Sequence, residues 1–186
     1  MTIDEFLDDA TRRMDKSVES AHHEFNTLRT GRASAALLDR IQIDYYGTRT
    51  PLKQLATINA PEPRLLTVQP FDPSSLSAIE RTIQESDLGL TPSNDGKIVR
   101  LPIPQLTEER RRELVKVARQ MAEDGRVAIR NVRRDVMHHL KELVDKGEVG
   151  SDEEHRAEER VQKLTDDHTH KIDDLLKRKE EEILEV

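Results

Sequence analysis

A chain of 186 residues with formal charge −7 and no cysteine has room for one ordinary domain or two small ones, and it excludes disulfides and thiolate metal sites. Charged residues make up 36 % of it and aromatic residues 3 %. That balance suits long solvated helices over an aliphatic core, and it suits sequence-tolerant single-strand RNA binding poorly, because such binding stacks bases on rings. The N-terminus lacks the basic and apolar regions of a secretory signal and no apolar run is long enough to span a bilayer, so a cytoplasmic protein is expected.

The first predicted element is a helix over residues 2–29. Thr2 with Glu5 has the spacing of a capping box, and Ile3, Leu7, Ala10, Met14, Ser17 or Val18, Ala21, Phe25 and Leu28 step by threes and fours as a heptad seam. Gly31 is the expected C-cap. Composition then shifts. All eight prolines lie between Pro51 and Pro104, and residues 31–104 balance eight basic against eight acidic side chains. Ile41–Gly47 and Arg64–Gln69 read as strands, Asp72-Pro73 as the start of a short helix carrying Leu76, Ile79 and Ile83, and Asn94–Gly96 as a turn into a strand over Lys97–Leu101. This is a small α+β domain.

Thr107 is the expected cap of a second long helix running to about Lys146-Gly147. Ser151, with Glu154, is the expected capping box of a third, whose seam is Ala157, Val161, Leu164, His168, Ile172, Leu175, Lys179 and Ile183. At 1.5 Å per residue the helices are roughly 40, 60 and 50 Å long, and three long seamed helices satisfy one another as a bundle. The domains predicted are therefore a three-helix bundle from 1–30 and 105–186, with 31–104 inserted. The hinge strands fall at about 30–32 (Thr30, Gly31, Arg32) and 102–104 (Pro102, Ile103, Pro104).

The second helix carries the clearest functional signal. At roughly 100° per residue, Arg112, Lys116, Arg119, Arg126, Arg130, Arg133 and Arg134 fall within about 60° of one direction. Leu114, Ala118, Met121, Gly125, Ala128, Val132 and Val136 fall opposite, and only Glu123 interrupts the basic face. A basic stripe on an acidic protein is placed charge, and a phosphate backbone is the partner that such arginines fit.

Arg29-Thr30-Gly31-Arg32-Ala33-Ser34, Tyr45-Tyr46-Gly47, Ser86-Asp87-Leu88-Gly89-Leu90, Leu106-Thr107-Glu108-Glu109-Arg110-Arg111 and Arg130-Asn131-Val132-Arg133-Arg134-Asp135 resemble the bacterial ribosome recycling factor family, in order and across the whole chain. The resemblance implies an L-shaped two-domain α+β protein, a long antiparallel three-helix bundle with an inserted small β/α/β domain. It implies a translation factor that binds no nucleotide itself and, with elongation factor G and its GTP hydrolysis, splits the post-termination ribosome into subunits. The bundle would bind large-subunit ribosomal RNA, and the small domain would change orientation and meet elongation factor G. Carried onto this chain, the RNA-binding positions are Arg130, Arg133 and Arg134. Arg29 and Arg32 beside the first hinge strand, with Arg110 and Arg111 at the start of helix two, come second.

Other chemistry is weakly signalled. His22-His23, His138-His139 and His168/His170 lack the four-residue spacing that puts two rings on one helix face, so no metal site is expected. No phosphate-cradling glycine loop or nucleophile elbow occurs, so neither a cofactor nor catalysis is expected. Tyr45 and Tyr46 alternate on their strand, one ring inward and one outward. The competing class is a helical-bundle adaptor or chaperone-like protein-binding module, which would oligomerise and ignore RNA. The recycling reading expects a monomer with salt-dependent binding to ribosomes.

Overall fold

The computed structural model describes residues 1–185, which fall into two compact units, Met1–Arg29 with Glu109–Glu185 and Thr30–Glu108. In chain order the elements are α1 (Ile3–Asn26), β1 (Gln42–Tyr45), β2 (Thr48–Pro51), the single turn α2 (Leu52–Leu55), β3 (Ala56–Glu62), β4 (Leu65–Pro70), α3 (Leu76–Glu85), β5 (Ser93–Asn94), β6 (Val99–Pro102), α4 (Glu108–Asp145) and α5 (Ser151–Leu184). No helix is long and apolar enough to cross a membrane among the described residues.

In the helical unit α1 begins on the capping box. The Glu5 N–H donates to the Thr2 hydroxyl at 3.2 Å and the Thr2 N–H to the Glu5 carboxylate at 2.7 Å. Its C-terminus differs from expectation. The last turn tightens to i→i+3 bonds, with Thr27 and Leu28 N–H donating to Glu24 and Phe25 carbonyls, so the helix is closed before Gly31 is reached. Gly31 instead turns the chain at φ 76°, where a Cβ would stand 2.9 Å from Leu106 Cγ, a conformation and an approach that glycine supplies.

α4 ends in a Schellman turn around Gly147 (φ 72°), with the Glu148 N–H bonded to Leu143 O and the Gly147 N–H to Val144 O. The expected Ser151 capping box does not form. Gly150 is the N-cap in extended conformation, Ser151 is already helical, and the Glu154 N–H donates to Gly150 O. Phe6 and Arg13 of α1 meet His139 and Asp135 of α4, whereas Asp4 and Asp15 of α1 meet Arg160 and His168 of α5. α4 thus runs antiparallel to two helices that are parallel to each other.

The α4 seam is Leu114, Ala118, Ala122, Gly125, Ile129, Val132, Val136, Leu140 and Leu143. Relative to the expected face it is turned by about 30° towards the arginines, so Met121 and Ala128 are only half-buried. At Gly125 both other helices approach α4 closely, since a Cβ there would lie 2.7 Å from Ile172 Cδ1 and 3.3 Å from Ala21 Cβ. On α5, Thr165 joins the buried set by donating its hydroxyl to Val161 O at 2.8 Å, while Leu164, Leu175 and Lys179 are half-buried. His168 is a core histidine, its ring nitrogens 2.6 Å from Leu164 O and 2.7 Å from Asp15 Oδ1.

The second unit contains a hairpin, β1 with β2, and a four-stranded antiparallel sheet in the order β3-β4-β6-β5. The hairpin loop is Tyr46-Gly47, both at positive φ (49° and 79°), the two-residue turn that fits strand twist. Alternate residues of β4 and β6, Leu66, Val68, Val99 and Leu101, pack with Ile79 and Ile83 of α3 into one aliphatic core. Asp72 caps the turn before α3, its carboxylate accepting from the Ser74 N–H at 3.0 Å and from the Tyr45 hydroxyl at 2.9 Å. Tyr45 is accordingly half-buried, while Tyr46 is 82 % exposed.

Candidate nucleic-acid interface

The solvent side of α4 carries two charged rows. The inner row is Arg119, Arg126 and Arg133. Seven residues apart, they share nearly one bearing beside the seam with α5. Opposite them α5 presents Glu180, Asp173 and Asp166, at the same spacing in reverse order, as antiparallel helices require. Arg119 Nε donates to Glu180 Oε1 at 2.8 Å. Arg126 donates through Nε and Nη2 to Asp173 Oδ1, at 2.9 and 2.7 Å. Arg133 Nη1 donates to Gln162 Oε1 at 3.0 Å, and the Gln162 amide donates on to Asp166 at 2.9 Å.

The outer row is Arg112, Lys116, Glu123, Arg130 and Arg134. Arg130 Nη2 donates to Glu123 Oε1 at 2.6 Å, and Arg126 Nη1 reaches Glu123 Oε2 at 3.3 Å. Those two guanidinium groups, Arg130 foremost, hold the Glu123 carboxyl below its ordinary pKa. Burial works against the Arg126 charge, but its bonds to Asp173 and Glu123 outweigh that and its pKa is raised. Lys116 and Arg134 are exposed and, among the described residues, form no ion pair.

The rows differ in what they can bind. Arg126 has Nε, Nη1 and Nη2 all engaged and its side chain is only 24 % exposed, so it staples α4 to α5. Arg119, with 66 % of its side chain exposed and only Nε bonded, still presents a planar pair of donors. Arg130 and Arg134 do the same further along. A guanidinium fork of this kind grips two phosphate oxygens or lies flat against a base.

The carboxylates of α5 were not singled out from sequence, although the heptad spacing of acids at 166, 173 and 180 against arginines at 119, 126 and 133 is their signal. Of the second-rank cations, Arg29 is exposed just beyond α1, Arg110 pairs with Glu113 at 2.9 Å, and Arg111 buries its Nε without a hydrogen-bond partner among the described residues.

The segments expected as hinge strands are fastened at their inner ends. The Ala33 N–H donates to Pro63 O at 2.7 Å, directly after Thr30, Gly31 and Arg32, and Thr30 is buried. Pro102 closes β6 opposite Leu65, and Ile103 is buried in the sheet unit's core with its N–H on Arg64 O at 2.8 Å. Pro104 is exposed. No three His, Asp or Glu side chains converge in a metal-binding arrangement among the described residues.

The Ribosome recycling factor family model matches residues 21–184. The chain is similar to the ribosome-recycling factor of Rubrobacter xylanophilus, 59 % identical over 180 residues that cover 97 % of each chain. It is also similar to that of Carboxydothermus hydrogenoformans, 53 % identical over 184 residues, 99 % of this chain and 100 % of that one. A solution structure of a ribosome recycling factor matches with a TM-score of 0.75 at 41 % identity, covering 100 % of this chain and 99 % of that one. A second match, TM-score 0.65 at 49 % identity over 99 % of this chain and 100 % of the other, is the T. thermophilus ribosome recycling factor, described with E. coli elongation factor G bound to the E. coli post-termination complex.

Proposed function

The chain belongs to the ribosome recycling factor family, and from that premise we propose that it dissociates the post-termination ribosome into subunits, with elongation factor G and GTP, while anchored on large-subunit ribosomal RNA by the basic side of α4. The observation that carries the anchoring is the outer row: cations exposed along one helix of a protein whose net charge is −7. Arg112, Lys116, Arg130 and Arg134 supply phosphate contacts, with the free edges of Arg119 and Arg133 beside them. Arg126 contributes by fixing α5 against α4, and Arg29 extends the basic surface past the end of α1. The protein works as a cytoplasmic monomer without a cofactor of its own.

Motion belongs in this reading too. A proline-free helix of 38 residues resists sharp kinking under load, so the yielding parts are the connections around Thr30–Arg32 and Pro104–Thr107. The small unit swings on them as elongation factor G acts.

The test is splitting of post-termination ribosomes by wild type and by an Arg130→Gln/Arg134→Gln double variant. Wild type splits and the variant fails while its helical circular dichroism is unchanged. Equal splitting by both removes the anchor from this face. For the moving unit, an engineered crosslink between the two connections should leave ribosome binding intact and stop splitting; full-rate recycling by the locked protein ends that part of the reading.

A further inference from the structure

One carboxylate stands among the outer cations of α4. Glu123 lies seven residues from Lys116 and seven from Arg130, in line with both, and it is bonded rather than free. Its Oε1 accepts from Arg130 at 2.6 Å and its Oε2 from Arg126 at 3.3 Å. Asp173 of α5 takes the remaining edge of Arg126, which turns Nη1 of that arginine towards Glu123. The carboxylate is thus held in the row by two guanidinium groups, one of them immobilised by a third residue.

Exposed ion pairs contribute little to stability, so the fold gains little from an acid at this position. Its effect on an incoming phosphate is larger. Carboxylate and phosphate compete for the same guanidinium donors. When phosphate takes Arg130 from Glu123, the released carboxylate draws a cation from solution, which cancels part of the counterion release that drives binding.

We propose that Glu123, braced through Arg126 by Asp173, is a built-in competitor for RNA phosphate that weakens the hold of α4 and speeds release of the factor. The proposal rests on the RNA-anchoring reading above. A factor that serves many ribosomes in turn must let go of each, and a competing anion inside the contact row shortens each stay without removing the arginines that make the contact.

The decisive comparison uses two isosteric substitutions one residue apart. Glu123→Gln keeps the side-chain length and an acceptor oxygen for Arg130 but loses the charge. Asp124→Asn makes the same charge change on a different bearing, where Asp124 accepts from Gln120 at 2.9 Å. Both proteins and wild type are titrated against purified large ribosomal subunits across a salt series, with dissociation rates and melting temperatures measured alongside. Glu123→Gln should bind about five-fold tighter, steepen the slope of log K against log salt by roughly 0.7 to 0.9, and dissociate more slowly at unchanged melting temperature. Asp124→Asn should change each quantity by much less.

Weaker or unchanged binding by Glu123→Gln makes Glu123 a positioning residue and overturns the proposal. An equal gain from Asp124→Asn reduces it to bulk charge and overturns it as well. Failure of the anchoring reading has a different signature: wild-type binding that ignores salt and is unmoved by Arg134→Gln, which takes both down together.

Discussion

The two units keep their carboxylates ionised by different means. In the helical unit Asp135 is held below its ordinary pKa first by the side chain of Arg13, 2.6 Å away, and Glu123 first by Arg130. In the sheet unit Asp72 is lowered first by the side chain and backbone N–H of Ser74, and Asp95 by the backbone N–H groups of Ile98 and Lys97. One unit uses charge against charge, between α1 and α4 at Asp135 and along α4 at Glu123, and the other uses mainly hydrogen bonds to backbone and side-chain groups of its turns. The contrast follows from architecture. Long helices have no spare backbone donors along their length and must link to one another through side chains, whereas turns expose N–H groups that a nearby aspartate can collect.

The largest expected effects lie beneath this difference, in the cores. Phe25→Ala in the helical unit should cost about 3–5 kcal/mol and Leu66→Ala in the sheet unit about 2–5 kcal/mol, read by urea unfolding, because both side chains are fully buried. A loss at Phe25 no larger than that of a surface change would mean that the ion pairs, not the apolar seam, hold the helices.

Next in size are the links themselves. Arg126→Gln leaves Asp173 and Glu123 without their shared partner and should cost roughly 1 kcal/mol at low ionic strength, most of it disappearing in about 0.5 M salt. Tyr45→Phe, which deletes the hydroxyl bond to Asp72, should lower stability by a smaller amount that is the same at any salt concentration. Equal salt dependence in the two variants would break the comparison.

A pH series sharpens it further. Because the folded pKa of Asp135 is depressed, the stability it brings is complete above the ordinary aspartate range and is lost as pH falls through the folded value. Arg13→Gln should therefore be less stable than wild type at neutral pH, with the gap closing in acid. A gap that persists where Asp135 is protonated would place the Arg13 contribution elsewhere. The smallest effect is spectroscopic. In an NMR titration, added salt should raise the pKa of Glu123 and Asp135 towards the ordinary range while leaving Asp72 and Asp95 nearly unmoved.

Much of this was legible in the residues. The capping box at Thr2, the glycine stop at Gly147 and the threes-and-fours of Leu7, Ala10 and Met14 are local signals, and local physics realised them. The strands β2 and β3 were not read. Thr48–Pro51 has no apolar alternation, and Ala56–Glu62 is mostly exposed and contains a proline, so their pairing comes from the hairpin turn and from β4 rather than from their own pattern. Ser151 misled because a capping-box spacing is necessary and not sufficient; Gly150 had already taken the extended cap conformation. At the basic face the arginines were visible and their commitments were not. Which of them face α5 depends on a rotation of α4 of about 30°, less than a third of the angular step between neighbouring residues, and summed apolar periodicity does not resolve that.

The insertion of residues 30–108 between α1 and the rest of its unit has a consequence for the birth of the molecule. α1 leaves a ribosome well before α4 and α5, yet Leu7, Met14 and Phe25 bury their seam in the bundle that those later helices complete. At about 5–20 residues per second, roughly 10–30 s separate the end of α1 from the end of α5, and the whole sheet unit emerges and folds in the interval. A nascent α1 spends that time as a lone amphipathic helix with an open apolar stripe.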